Sequence, residues 1–181
     1  IQHADVKRML LFQRAIVEGS LALTTYCSKL IDLVNAGPED GRERHALLLD
    51  FLTPIAKTYP SEMGILSVST GLQCLGGYGY CDEFPLEQYY RDVRIHPIHE
   101  GTTGIQGMDL LGRKVVMKNG RASMLFLEEV GRDIQEAAAL EALTADAASL
   151  KAALEKLHAV TGHLTGLAAQ GKIDLFLADA T

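Results

Sequence analysis

No stretch of about 18 consecutive apolar residues occurs in this sequence, so no helix drawn from it is long enough to span a bilayer. No basic stripe is present either. Acids and bases are mixed along the chain, and the net charge is −6, which argues against nucleic acid as a partner. Cysteine is scarce. Cys27, Cys74 and Cys81 are an odd number without metal-type spacing, and they read as reduced thiols in a cytosol-like compartment. No segment alternates polar and apolar residues with period two over a useful length, so nothing reads as a strand. An initiating methionine is missing at Ile1, and the last residues, "DLFLADAT", stop just after an apolar run. Both ends are therefore expected to be cut, and a signal or transit segment could have preceded Ile1.

What is present is helical pattern. Nearly half of the residues are apolar, enough to bury a core in one domain, or in one domain with an appendage. From about Asp5 to Asn35, the residues Val6, Met9, Leu10, Ile16, Val17, Leu23, Cys27, Leu30, Ile31 and Val34 recur at three- and four-residue steps. That is one apolar stripe on a long helix, stopped by Gly37-Pro38. A second helix is predicted over about Arg42 to Tyr59, kinked or restarted at Pro54, and a third over Ser61 to Leu75 with Ser61 as its cap. "GGYGY" breaks the third helix. Pro85 opens a short helix to Arg94, and Pro97 ends that stretch. Thr103 with Gln106 fits a capping box for the next helix, whose apolar face is Ile105, Met108, Leu110, Leu111, Val115 and Val116. After "KNG" the chain turns rich in Ala, Leu, Glu and Asp, with few aromatics. Two helices fit there, about 121–141 and 145–169, with Thr144 as a cap and Gly171 as a stop. The fold class is all-α: an antiparallel helical bundle over 1–118, with an incomplete helical extension over 119–181. The extension carries Leu125, Leu140, Leu143, Leu150, Leu154, Leu157 and Leu164, which are expected to dock it on a partner surface.

Glu100 in "IHEGTTGIQG" is the best candidate for chemistry. Gly101 removes a side chain beside it, and the helix expected at Thr103 aims free N–H groups back at this spot. A dry pocket raises a carboxylate's pKa, whereas a helix start lowers it, so the residues alone leave the net direction open. From spacing alone the plainer reading, a helix-start acid interacting with the dipole, ranks ahead. "QCLGGYGY" could bring backbone close to a phosphate-bearing ligand. It lacks the preceding strand of a dinucleotide fingerprint, and a helix stop with a tight turn ranks ahead there too. His96 and His99 are three apart with a proline between them, which disfavours a metal site with Glu100. Arg91, Asp92 and Arg94 read as an ion-pair set on a helix flank.

Taken in order, "QCLGGYGYCDEFPLEQYYRDVRIHPIHEGTTGIQ" resembles the C-terminal helical domain of the acyl-CoA dehydrogenases: Gln-x-x-Gly-Gly-x-Gly, then an acid and Pro, then Arg-Asp-x-Arg, then Glu-Gly-Thr. "HADVKRMLL" resembles the start of that domain's second long helix. "GMDLLGRKV" and the tail resemble the subfamily with an extended C-terminal helical region, represented by bacterial fatty-acyl and methylthiopropanoyl-type enzymes. The resemblance covers about 3–118 well and the tail more loosely. It implies that the chain is a piece of a larger enzyme with an N-terminal helical domain, a middle β-barrel and one more long helix upstream.

The resemblance further implies that Glu100 is the catalytic base removing the proton next to a thioester carbonyl, with FAD taking a hydride from the neighbouring carbon and a 2-enoyl-CoA as product. The Glu100 N–H would help hold the thioester oxygen, where negative charge develops. His99 and Gly101 would line the acyl-CoA substrate, Thr102 would contact FAD, and Gln73, Gly76 and Gly77 would face the FAD of a neighbouring subunit. Further implied are a homodimer or homotetramer, electron-transfer flavoprotein or a similar acceptor, no metal, and a bacterial cytoplasm or a mitochondrial matrix. His99 stands where the family usually has tyrosine, and Gly104 where many members have a polar side chain. Some relatives draw their base from the long helix upstream. Two competing readings are an acyl-CoA oxidase, in which oxygen reoxidises the flavin, and a non-catalytic helical oligomerisation module.

Overall fold

The computed structural model describes residues 1–179. Seven α-helices make up most of them: α1 (Ala4–Ala36), α2 (Arg42–Leu75), α3 (Leu86–Val93), α4 (Thr103–Asp109), α5 (Arg121–Ala138), α6 (Thr144–Ala169) and α7 (Ile173–Ala178). No strand occurs among the described residues, so the all-α expectation holds. The chain forms two compact units, one of residues 1–29 and 52–106, the other of 30–51 and 107–181.

In the first unit α1 and α2 run antiparallel. Gln13 on α1 lies beside Gly71 and donates to the Cys74 sulfur, whereas Gly19, further along α1, meets Tyr59, which is earlier on α2. Met9 and Ile16 are the buried residues of α1 here. Leu10 and Val17 remain exposed, so the single apolar stripe read from the sequence is divided between a filled face and an open one.

The predicted break inside α2 is absent. Arg42–Leu75 is one helix with Pro54 and Pro60 inside it. An interior proline removes one backbone bond and costs about 3 kcal/mol. Pro54 itself is fully buried, as is Leu48, and Leu52 on the same stretch is buried, and that burial offsets the loss. Ser61 is therefore not a cap: it lies mid-helix, and its hydroxyl donates to the Lys57 carbonyl one turn back at 2.5 Å.

The second unit is organised around α5 and α6, which pack together after a 3-10 turn at Glu141–Leu143, with α7 folded back on α6. Its core includes Leu30, Leu48, Phe51, Ala122, Leu125, Ala147, Leu164 and Phe176. Phe51 and Phe126 rings lie 5.3 Å apart, and Arg44 reaches Glu128 at 3.0 Å and Glu129 at 2.5 Å. Of the leucines expected to dock the tail, Leu125 and Leu164 do so, while Leu140, Leu143, Leu150 and Leu157 stay exposed. Thr144 does not cap α6, because its hydroxyl donates to the Leu140 carbonyl at 3.3 Å. Gly171, at φ 74°, ends the helix as expected.

Past α4 the chain widens into a π-helical stretch, Leu110–Lys114, closed by a Val115 N–H to Leu110 carbonyl bond of 2.9 Å. Lys114 is buried there and pairs with Asp50 and Asp109. Ile105, Met108 and Val116 of the predicted apolar face are exposed; of these, Val116 follows the π turn, which rotates the residues after Asp109 off the α-helical register.

Candidate active site

The loop between α3 and α4 carries Glu100. It begins as a tight series of turns, with His96 N–H on the Val93 carbonyl at 3.1 Å, and Ile98 and His99 N–H on the Ile95 carbonyl at 2.9 and 3.1 Å. Pro97 is buried beneath these turns. Then the backbone leaves the ordinary regions: Glu100 has φ 51° and Gly101 φ 98°. A non-glycine residue in the left-handed region costs about 1–3 kcal/mol and is commonest where a site fixes a side chain's direction. Gly101 is required by the same turn. A Cβ there would sit at a forbidden φ and against the Gln106 amide.

The expected capping box is displaced by one residue. Thr102, not Thr103, caps α4: its hydroxyl accepts from the Ile105 N–H at 3.3 Å and its carbonyl from Gln106 at 3.0 Å. The Thr103 N–H goes to the Pro97 carbonyl at 3.1 Å, and the Thr103 hydroxyl donates to the Glu62 carboxylate on α2. The N–H groups of Thr103 and Ile105 are therefore satisfied within the loop rather than free to meet an anion at Glu100.

Glu100 and His99 line a cleft of about 380 Å³ with Thr24 from α1, Lys57 and Ser61 from α2, and His96. Both Glu100 and His99 are exposed in this chain. The His99 Nδ1 lies 2.9 Å from the Ile95 carbonyl oxygen. A carbonyl only accepts, so Nδ1 carries the proton and Nε2 is the nitrogen left for other partners. The His96 and His99 rings are 5.7 Å apart. Among the described residues no group of three or more His, Cys, Asp or Glu side chains is placed to share a metal ion.

Gln73, Gly76 and Gly77 lie elsewhere, at the end of α2 and in the 3-10 turn Gly76–Tyr80, and like Thr102 they do not line this cleft. All three are exposed. A Cβ added at Gly76 or Gly77 would meet nothing within 4 Å, so among the described residues the space beside both α-carbons is open, while the Gly77 carbonyl accepts from the Cys81 thiol at 3.4 Å. Thr102 is exposed too, and its O–H still has a proton to donate while its oxygen caps α4. The exposed strip from Gln73 to Gly77, with a side-chain amide at one end, and the separate exposed Thr102 hydroxyl near Glu100 offer hydrogen-bonding groups to a large polar ligand on two different faces.

Arg91, Asp92 and Arg94 do not form the expected ion-pair set: all three are exposed, and none makes an ion pair among the described residues. Sequence reasoning missed Lys57 and Glu62, whose side chains hold the loop. The Lys57 ammonium donates to the His96 carbonyl. A signal was there: Lys57 is the only Lys or Arg between Arg44 and Arg91, and Glu62 the only acid between Asp50 and Asp82.

Comparison with known proteins is consistent with this geometry. The family model described as "Acyl-CoA dehydrogenase, C-terminal domain" matches residues 1–115. The chain is similar to a 3-methylmercaptopropionyl-CoA dehydrogenase of Ruegeria pomeroyi, 45% identical over 130 residues, covering 72% of this chain and 22% of that protein. It is similar to a butyryl-CoA dehydrogenase of Syntrophomonas wolfei, at 37% identity over 72% of this chain and 22% of that protein. It is also similar to a broad-specificity linear acyl-CoA dehydrogenase of Mycobacterium tuberculosis, 33% identical over 91% of this chain and 27% of that protein. The chain thus spans only 22–27% of the length of these relatives. With the match covering the whole of the Glu100 loop and both long helices that support it, the chain belongs to the acyl-CoA dehydrogenase family through its C-terminal domain.

Proposed function

We propose that this chain is the C-terminal region of an FAD-dependent acyl-CoA dehydrogenase, with residues 1–118 as the bundle and 119–181 as a helical extension. The observation that carries the reading is Glu100 itself. Within the segment the family model matches, it is the non-glycine residue held at positive φ, on a cleft, next to the glycine that leaves its carboxylate room. In this reading the Glu100 carboxylate takes the proton from the carbon beside the thioester carbonyl, and its backbone N–H donates to the carbonyl oxygen as negative charge builds there. His99 and Gly101 border the acyl group. The Thr102 hydroxyl and the exposed Gln73, Gly76 and Gly77 hold FAD, the last three from a neighbouring subunit of a homodimer or homotetramer. A bound FAD supplies the acceptor for the hydride lost from the neighbouring carbon, so that the acyl-CoA leaves as its 2-enoyl form and electron-transfer flavoprotein or a similar acceptor reoxidises the enzyme.

The test is Glu100→Gln in the full-length enzyme, which keeps shape and hydrogen bonding but removes basicity. Anaerobic flavin bleaching on mixing with acyl-CoA is expected to slow by about 10²–10⁴-fold, with FAD content and acyl-CoA affinity unchanged. Bleaching at the normal rate would move the base to another carboxylate.

A further inference from the structure

We infer that α2 positions the base through a two-point clamp, Lys57 and Glu62, that grips the Glu100 loop on both sides. The inference rests on the proposed role of Glu100. Left to itself, a loop with one residue at φ 51° followed by one at φ 98° relaxes, because the left-handed region is unfavourable for glutamate. The structure prevents this at two places. Upstream of Glu100, the Lys57 ammonium donates to the His96 carbonyl. Downstream, the Thr103 hydroxyl donates to the Glu62 carboxylate. Both hydrogen bonds are charge-assisted, the stronger class. The two ends are also tied to each other by the Thr103 N–H to Pro97 carbonyl bond of 3.1 Å.

The anchors come from one rigid element. Lys57 and Glu62 are separated by five residues of continuous helix, a rise of about 7.5 Å, so the spacing of the two grips is fixed by α2 and not by the loop. This gives the uninterrupted passage of α2 through Pro60 a purpose. Pro60 lies between the two anchors, and a restart there would decouple Lys57 from Glu62. Neither residue needs to touch the reacting carbon. They are positioning residues, acting through the loop on the direction of the Glu100 carboxylate.

The experiment uses the full-length flavoenzyme with Lys57→Met, Lys57→Arg and Thr103→Val, and with Glu100→Gln alongside. Anaerobic stopped-flow bleaching gives the rate constant for flavin reduction, and titration gives acyl-CoA affinity. Displacing a reacting group by about 1 Å can cost about 10²-fold. Lys57→Met and Thr103→Val are each expected to slow bleaching by about 10- to 100-fold, with bound FAD and acyl-CoA affinity unchanged. Lys57→Arg, which keeps a charged donor, restores most of the rate. If Lys57→Met does not yield folded flavoprotein, Thr103→Val, which removes one hydroxyl, carries the test. Wild-type bleaching in Lys57→Met and Thr103→Val, with Glu100→Gln inactive, overturns the clamp and leaves the base assigned. Normal bleaching in Glu100→Gln overturns the base assignment itself. Loss of FAD or of folding in both clamp variants also overturns the inference, by making these residues supports of the fold and not of the base.

Discussion

Lys114 and Asp50 are partners in one ion pair, yet removing one is expected to cost far more than removing the other. The Lys114 side chain is 3% exposed, whereas that of Asp50 is 44% exposed. Substituting Asp50→Ala leaves a buried ammonium with only Asp109, 3.9 Å away, and Asp109 already receives two bonds from Arg113 at 2.6 and 3.1 Å. Orphaning a buried charge costs about 3–5 kcal/mol. The low end, about 3 kcal/mol, applies because Asp50 faces water and was never fully desolvated. Alanine is a good helix former, so α2 itself loses nothing. Lys114→Met, by contrast, keeps an unbranched apolar stem in the same space and leaves Asp50 hydrated at the surface, for a loss of about 1 kcal/mol or less. For a chain of this size each kcal/mol moves Tm by about 2–4 °C, so Asp50→Ala should fall by about 6–12 °C and Lys114→Met by a few degrees at most. Circular dichroism melts of the two variants at neutral pH, checked by urea unfolding, decide the matter. Equal losses, or a larger loss for Lys114→Met, would show that the buried stem and not the unpaired charge carries the energy.

On the proposed function, Gly101→Ala should lower flavin reduction in the full-length enzyme at least as much as a clamp variant, since it disfavours φ 98° next to Glu100 and drives a methyl at Gln106. Stopped-flow bleaching reads this, and an unimpaired Gly101→Ala enzyme would mean that the turn tolerates another conformation. Burial pushes the Cys27 thiol up from its ordinary value, whereas Cys81 is exposed. Because the thiolate is the reactive form, iodoacetamide at pH 8 should label Cys81 well before Cys27, as peptide mass spectrometry would show. Faster labelling of Cys27 would contradict its burial.

The parts of this fold that a sequence states plainly are those set by one residue's own backbone preference. Pro85 and Gly171 start and stop helices where expected, because proline's fixed φ and glycine's freedom at positive φ act locally; Gly37 follows the end of α1 for a different reason, since a Cβ there would meet the Leu33 carbonyl. Pro54 and Ser61 misled for the complementary reason. Whether a proline breaks a helix, or a serine caps one, depends on the burial around it, and the burial of Pro54 is a tertiary fact. The stripe on α1 shows the same limit: period 3.6 identifies Met9, Leu10, Ile16 and Val17 as one apolar set, but only packing tells that Met9 and Ile16 are filled while Leu10 and Val17 are open. At the site, Glu100 and its glycine were legible from the motif. The loop's anchors were not, because Lys57 and Glu62 lie about 40 residues upstream and their relation to His96 and Thr103 exists only once α2 is placed.

A carboxylate base needs both a direction and a dielectric, and this chain supplies them unequally. Direction is built in: a positive φ at Glu100, a glycine after it, and anchors on both sides, all drawn from the first unit. The dry surroundings are not, since Glu100 lies exposed on the cleft. On the proposed function, the water must be excluded by substrate, cofactor and the rest of the full-length enzyme, since the matched stretch covers only 22–27% of these relatives. That separation is physically sensible. Orientation can be fixed once, at folding, by a rigid helix. Desolvation of the base is costly, and is best deferred until a bound thioester is there to be deprotonated.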